Sequence, residues 1–275
     1  MKNILLIGAK GLVGKDFCER YISKYNIFQV DKDNIGNVAS ILNAKSFEYL
    51  IFLAQSEDFK LYPYTQNLLD VNVVLLRDII EMSINRVSNI IYFSSGSVYE
   101  QANSIFTEQS KLNFTDPNPY VASKISGELT LLSMKQSFET VTILRPFFIF
   151  GQYQNNQMLI PSLIEKIQSK QLIYITSEDG LLFNPTFVSD VSDYLSFIIE
   201  NNIKSHIQNI FGNEVITLKD FCDEIGLIIG KKPEYSYLNI KSLKYVASTI
   251  NEYYHPKAQL KESIERIINI NLFKS

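Results

Sequence analysis

Apolar residues along the chain fall into short continuous runs, separated by longer segments with helical spacing. Ile4-Leu5-Leu6-Ile7, Tyr49-Leu50-Ile51-Phe52-Leu53-Ala54, Asn89-Ile90-Ile91-Tyr92-Phe93 and Val141-Thr142-Ile143-Leu144 have the length and composition of strands buried on both faces. Ile27-Phe28-Gln29-Val30 supplies a further short strand. Between these runs, Lys15–Lys24, Val38–Ala44, Thr65–Ser83 and Tyr120–Lys135 read as helices. In the third of them Leu68, Leu69, Val71, Leu75, Leu76, Ile79 and Ile80 recur at the helical period. Strands alternating with helices predict an α/β fold, a Rossmann-like doubly wound parallel sheet.

Past Gly151 the pattern changes. A polar loop, Gln152–Gln157, precedes a helix at Pro161–Ser169 and a strand at Leu172–Thr176, and another helix starts around Phe187-Val188. The elements after Asn213 are short. The expected division is a main domain over residues 1–151, with 184–212 returning to it, and a small C-terminal lobe of 152–183 and 213–275 that holds substrate. No internal repeat or low-complexity stretch interrupts this plan.

Composition narrows the function. The 275 residues are 46% apolar and 20% charged, enough for a substantial core. A net charge of −3 without any basic run argues against nucleic acid as a partner. Cys18 and Cys222 lie far apart and outside any C-x-x-C, and only His206 and His255 accompany them, so neither a disulfide nor a metal site is expected. The N-terminal apolar run is too short for a secretion signal and is broken by Gly8 and Gly11, and no run reaches membrane-spanning length. A cytoplasmic protein is the expectation.

Candidate chemistry begins at Gly8-Ala9-Lys10-Gly11-Leu12-Val13-Gly14, between the first strand and first helix. Strand, glycine turn, helix, strand and a terminal acid, Asp31, is the order of a dinucleotide-binding βαβ unit. The glycines let the backbone approach a pyrophosphate, and the following helix aims free N–H groups and its dipole at the phosphates. Asp31 is placed to accept hydrogen bonds from the adenosine ribose and to repel a 2′-phosphate, which favours NAD(H) over NADP(H); Lys32 and Lys10 nearby weaken that preference.

Further along, Tyr120 and Lys124 stand at i and i+4, on one face of a helix. A tyrosine near pKa ~10 is a poor base at neutral pH, and a close ammonium favours its phenolate. Ser95, at the end of a strand, is placed to hydrogen-bond the same substrate oxygen.

The order of these features resembles the extended short-chain dehydrogenase/reductase superfamily, the NAD-dependent epimerase/dehydratase family, over nearly the whole chain. Gly8, Gly11 and Gly14 match its G-x-x-G-x-x-G, Leu53-Ala54 its strand end, and Asn72-Val73 its helix Asn-Val. Ser94-Ser95-Gly96-Ser97-Val98-Tyr99 is similar to its S-S-x-x-V-Y, and Asn118-Pro119-Tyr120-Val121-Ala122-Ser123-Lys124 to its P-Y-x-x-S-K. Leu144-Arg145-Pro146 through Gly151 resembles L-R-P-x-x-x-x-G, and Phe187–Val191 resembles V-x-D-V. The resemblance implies hydride transfer at a sugar carbon, with Tyr120 moving the hydroxyl proton, Ser95 holding that oxygen, and Lys124 tuning Tyr120 and binding the nicotinamide ribose. It implies cofactor contacts from Gly8, Gly11, Leu12, Val13, Gly14, Asp31, Lys32, Leu53, Ala54, Asn72, Ser94, Tyr120, Lys124 and Pro146. Substrate contacts are implied for Ser95, Gly96, Ser97, Tyr120, Phe147 and Phe148. It also implies a homodimer through the Thr65–Ser83 and Tyr120–Lys135 helices.

Departures from the family pattern refine the expectation. Gly96 and Ser97 replace the Asp-Glu pair with which dehydrating relatives protonate a leaving hydroxyl, which disfavours a 4,6-dehydratase. Leu182–Thr186 holds no cation where many relatives grip the substrate pyrophosphate. The segment between Asp31 and Leu50 is short, as if one strand were trimmed, which leaves Asp33 as a second candidate on the adenine side. The leading expectation is a 4-ketoreductase acting on a nucleotide-linked deoxysugar. The alternatives are a 4-epimerase with tightly bound NAD and, more remotely, a non-catalytic sensor of the cofactor.

Overall fold

The computed structural model describes residues 1–56, 58, 66–101, 105–155, 157–177, 179–204, 207–250 and 253–272. Thr65 and His206 lie outside the described residues. The chain divides into two compact units: Met1–Gln101 with Glu108–Pro146 and Ser192–Asn209, and Ala102–Thr107 with Phe147–Val191 and Ile210–Ser275. The first unit therefore ends its long run at Pro146 rather than at 151, and residues 184–191 group with the second unit instead of returning to the first.

In the first unit β1 (Asn3–Ile7) leads through the glycine turn to α1 (Leu12–Tyr21) and β2 (Asn26–Val30). A short helix α2 (Val38–Ala44) precedes β3 (Phe47–Phe52). Helices α3 (Gln66–Leu69) and α4 (Leu76–Ser83) flank a π-helical turn at Asp70–Leu75, followed by β4 (Val87–Phe93), α5 (Pro119–Ser133) and β5 (Thr140–Pro146). The sheet order is β2-β1-β3-β4-β5, closed beyond β5 by a strand at Ile207–Ile210, and the first five strands pair in parallel. Residues of β1, β3 and β4 are almost wholly buried, as continuous apolar runs require when helices cover both faces. Leu5, Ile7, Leu50, Phe52, Ile90, Tyr92, Val141 and Ile143 pack with Leu76, Ile79, Ile80 and Leu131 in one core. β2 is the sheet edge, in keeping with the short Asp31–Leu50 segment. The predicted α1 start at Lys15 is late by about one turn, because Leu12 to Gly14 are already helical.

The second unit contains β6 (Ile149–Phe150), α6 (Leu159–Gln168), β7 (Leu172–Thr176), β8 (Leu182–Phe183) and β9 (Thr186–Phe187). After the helix α7 (Val188–Asn201) and the sheet strand β10 (Ile207–Ile210) come β11 (Ile216–Thr217), α8 (Leu218–Ile229), β12 (Glu234–Leu238), β13 (Lys244–Tyr245) and α9 (Leu260–Leu272). Small sheets pair β7 with β12, β6 with β9, and β8 with β11 and β13. Their own core joins Phe150, Ile164, Ile173, Ile175, Phe183, Phe221, Ile225 and Ile264. Cys18 and Cys222 are free and buried. Among the described residues no helix is long and apolar enough to cross a membrane.

Candidate active site

The glycine turn has the geometry of a phosphate cradle. Gly8 sits at φ +93, and a Cβ there would lie 2.7 Å from the Ala54 backbone nitrogen, so the turn and the Leu53-Ala54 strand end touch backbone to backbone. A Cβ on Gly14 would meet the Gly8 carbonyl oxygen at 2.5 Å. Leu53 N–H donates to Ile7 O at 2.8 Å, which seats β3 against the end of β1. No side chain caps α1, and its first turn holds no acid. The amides of Leu12 and Val13 thus begin the helix with its dipole uncompensated, the arrangement that accepts an anion. These residues fit a dinucleotide pyrophosphate.

Asp31 ends β2 inside a turn of its own making. Its Oδ1 accepts from the Asp33 amide at 2.8 Å, and its own amide donates to Asn34 Oδ1 at 2.7 Å. Lys10 Nζ lies 3.2 Å from Asp31 Oδ2 and also pairs with Asp33. The Asp33 amide, followed by Lys10 and Lys32, holds the Asp31 carboxyl below the usual range, so it is an anion and an acceptor at neutral pH. Asp33 and exposed Lys32 stand on the same turn.

The second cluster forms where β4 ends. Asn118 caps α5 by accepting from the Val121 amide at 3.0 Å, and Pro119 occupies the first helical position. That start sets Tyr120 and Lys124 on the face turned to β4. Lys124 is buried, donates from Nζ to Phe93 O at 3.0 Å, and stands 5.5 Å from the centroid of the Tyr92 ring. Burial pushes its pKa down to about 8, and the Glu128 carboxylate opposes that shift. Burial raises the Tyr120 phenol above its ordinary value, and a hydrogen bond with Ser95 acts the other way. Ser95 Oγ also accepts from the Ser97 amide at 3.2 Å and meets Ser97 Oγ at 2.8 Å, which fixes the single turn Gly96–Val98 that follows β4. Ser95, Gly96, Ser97, Tyr120 and Lys124 are therefore brought together, and Pro146 ends the neighbouring strand β5.

Asn72 lies buried in the π turn, donating to Ser123 Oγ at 3.0 Å. Its Oδ1 has no partner among the described residues, an open acceptor beside the Tyr120–Lys124 helix. Phe147 and Phe148 belong to the second unit. Phe147 is buried and pairs with Phe106 and Tyr245, whereas Phe148 is partly exposed, pairs with Phe183 and Tyr245, and holds φ +43. In the cation-free Leu182–Thr186 stretch, Asn184 exchanges two hydrogen bonds with the Ala247 backbone, so it is committed to structure. Glu128 was missed from sequence, and Arg145 was read only as a member of the L-R-P motif. Glu128 and Arg145 form a buried bidentate ion pair with N–O distances of 3.0 and 2.6 Å, and Ser94 donates to the same carboxylate. The signal was a charged residue at the position of α5 one turn past Lys124.

A sequence profile of the NAD dependent epimerase/dehydratase family matches residues 4–210, most of the chain. The chain belongs to this family. It is thus a member of an enzyme family. A curated relative from Escherichia coli O157:H7, N-acetyl-alpha-D-glucosaminyl-diphospho-ditrans,octacis-undecaprenol 4-epimerase, is 25% identical over 249 residues, covering 84% of this chain and 73% of that protein. The solved UDP-N-acetylglucosamine 4-epimerase from Methanobrevibacter ruminantium M1 superposes with a TM-score of 0.87 at 18% identity, covering 100% of this chain and 99% of that one. The UDP-glucuronic acid 4-epimerase from Bacillus cereus, solved with NAD, gives 0.84 at 19% identity over 98% and 99% of the two chains. The fold is shared with these enzymes.

Proposed function

We propose that this protein is an NAD-dependent oxidoreductase acting on a nucleotide-linked sugar, and that it inverts a hydroxyl-bearing carbon as a 4-epimerase. The observation that carries the reading is the convergence of Ser95, at the end of β4, with Tyr120 and the buried Lys124 of α5, whose Nζ holds the Phe93 carbonyl of that same strand end. A sugar hydroxyl seated on Ser95 and Tyr120 loses its proton to Tyr120, which the Lys124 charge favours as phenolate. Ser95 holds the oxygen as it becomes a carbonyl. NAD, when bound, supplies the hydride acceptor and then the donor. Gly8, Gly11, Leu12, Val13 and Gly14 would hold its pyrophosphate, Asp31 its adenosine ribose, and Lys124 with Asn72 its nicotinamide half. Return of the proton from Tyr120 regenerates the hydroxyl.

Gly96 and Ser97 carry no acid for a leaving hydroxyl, so the chemistry stops at hydride and proton transfer. The related epimerases favour the 4-epimerase over the 4-ketoreductase anticipated from the sequence, and a pure sensor would have no use for Ser95, Tyr120 and Lys124 together. We further infer a homodimer, because α3–α4 and α5 leave Leu69, Val74, Met82 and Leu129 exposed.

Denaturing the undialysed protein and assaying the supernatant tests the reading. Near-stoichiometric NAD, with 4-epimerisation of a UDP-sugar abolished in Tyr120→Phe, is the expected result. A protein that purifies empty and consumes NADH with each turnover is a reductase instead. A protein that binds neither dinucleotide overturns the enzyme reading.

A further inference from the structure

Lys124 and Glu128 occupy successive turns of α5 and grip successive residues of one strand end. Lys124 Nζ donates to Phe93 O at 3.0 Å, and Glu128 accepts from Ser94 Oγ. Ser94 is tied on its other side as well, its amide donating to Leu144 O at 2.8 Å. The residue after it is Ser95. Glu128 is in turn fixed by Arg145, whose Nε and Nη2 donate to Oε1 and Oε2. Arg145 Nη1 donates to the Tyr99 hydroxyl at 3.0 Å, and that hydroxyl donates to Asn209 Oδ1 at 2.7 Å. Ser94, Tyr99, Glu128, Arg145 and Asn209 are all buried. The chain from Ser94 to Tyr99, which contains Ser95 and Ser97, is anchored at both ends by this one network.

A buried ion pair adds little stability over apolar side chains of the same volume, because desolvation offsets the attraction. Its value lies in holding groups in one geometry, and a polar network with every member satisfied is rigid. We propose that Glu128 is a positioning residue of the active site, which through Ser94 and Arg145 sets the place of Ser95. Its carboxylate also acts on Lys124. The inference rests on the hydride-transfer reading given above.

The electrostatic half follows from the neighbours of Lys124. Tyr120 and Glu128 face it from its own helix, Tyr92 from β4, and Arg145 lies beyond Glu128 on β5. Glu128 is the anion among them, set between two buried cations. Without it, burial and Arg145 both push the Lys124 proton off at lower pH.

The test compares Glu128→Gln, Ser94→Ala and the neutral pair Glu128→Met/Arg145→Met with wild type, by kinetics and by hydrogen exchange of the Ser94–Tyr99 segment. Ser94→Ala cuts one link, leaves the ion pair in place, and serves if the charge variants fail to fold. Expected are faster exchange of that segment in all variants, a fall in kcat of roughly ten-fold in Ser94→Ala and about a hundred-fold in Glu128→Gln with smaller changes in KM. The alkaline limb of kcat in Glu128→Gln should move by about one pH unit to lower pH, since the lost carboxylate had favoured the charged lysine. Full activity with an unmoved pH profile in the folded Glu128→Met/Arg145→Met protein overturns the proposal and leaves the pair a packing feature. So does unchanged exchange in Ser94→Ala. Wild type without turnover refutes the hydride-transfer reading instead, while the exchange comparison still reports on the anchoring.

Discussion

Lys124 is the residue at which function and stability pull apart. Its ammonium is buried and titrates at about 8, against 10.5 for an ordinary lysine. Between those values the unfolded chain holds the proton that the folded protein has released, so this group makes stability rise with pH across the window. Below about pH 8 its full cost is present. The shift corresponds to about 3 kcal/mol, from which an orphaned Phe93 carbonyl would take back about 1 kcal/mol on truncation. Lys124→Met is therefore expected to stabilise the fold at pH 7 by about 1–2 kcal/mol while costing activity at least ~100-fold. Denaturant unfolding at pH 7 and pH 10 checks both parts, because the gain should shrink at the higher pH. A variant less stable than wild type at pH 7 would mean that the ammonium is repaid by its surroundings. Tyr92 shows the same economy nearby, since its fully buried hydroxyl finds no partner among the described residues.

At the scale of elements, α5 meets the α3–α4 segment so closely that Gly127 has no room for a side chain. A Cβ there would lie 2.5 Å from the Tyr92 hydroxyl, and 3.1 Å from both the Asn72 carbonyl oxygen and Leu76 Cδ2. Gly127→Ala should gain helix propensity yet destabilise by about 1–3 kcal/mol through this overlap. Tyr92→Phe removes the worst contact and an unsatisfied hydroxyl together, so the double variant should recover most of the loss in thermal unfolding. If the double variant is no better than Gly127→Ala, the backbone contact with Asn72 is the limiting one. The same region shows what sequence reveals and what it hides. Tyr120, Lys124 and Ser95 could be singled out as candidates because an i,i+4 spacing and a strand end are local facts. The π turn was not. Apolar Val71 and Leu75 suggested one continuous helical face, whereas the structure buries polar Asn72 between Leu68 and Leu76. A side chain bonding to Ser123, fifty-one residues away, decides that register, and no window of local periodicity contains it. The pairing of Glu128 with Arg145 was hidden for the same reason, since Arg145 entered only as part of the L-R-P motif and its partner lies seventeen residues away on another element.

For the whole molecule, the parallel, doubly wound sheet was readable because each βα unit repeats a pattern that physics permits in few ways, whereas the strand order comes from the structure alone. The division into units was read less well, since the boundary at Pro146 and the grouping of 184–191 depend on contacts between distant short strands such as β6 with β9. What remains to be tested at this scale is assembly. Leu129 on α5 is 53% exposed and Val74 in the π turn is 39% exposed, apolar positions that a monomer gains nothing by presenting. If these helices pair across a two-fold axis, each exposed residue meets its equivalents and the helices form a four-helix contact. Leu129→Glu and Val74→Glu place charges into that contact without touching the core of either helix. Light scattering should then give a dimer for wild type and a monomer for each variant at the same concentration, with circular dichroism unchanged. A wild-type monomer would remove the dimer from the account and leave the catalytic constellation untouched, because Ser95, Tyr120 and Lys124 all come from one chain.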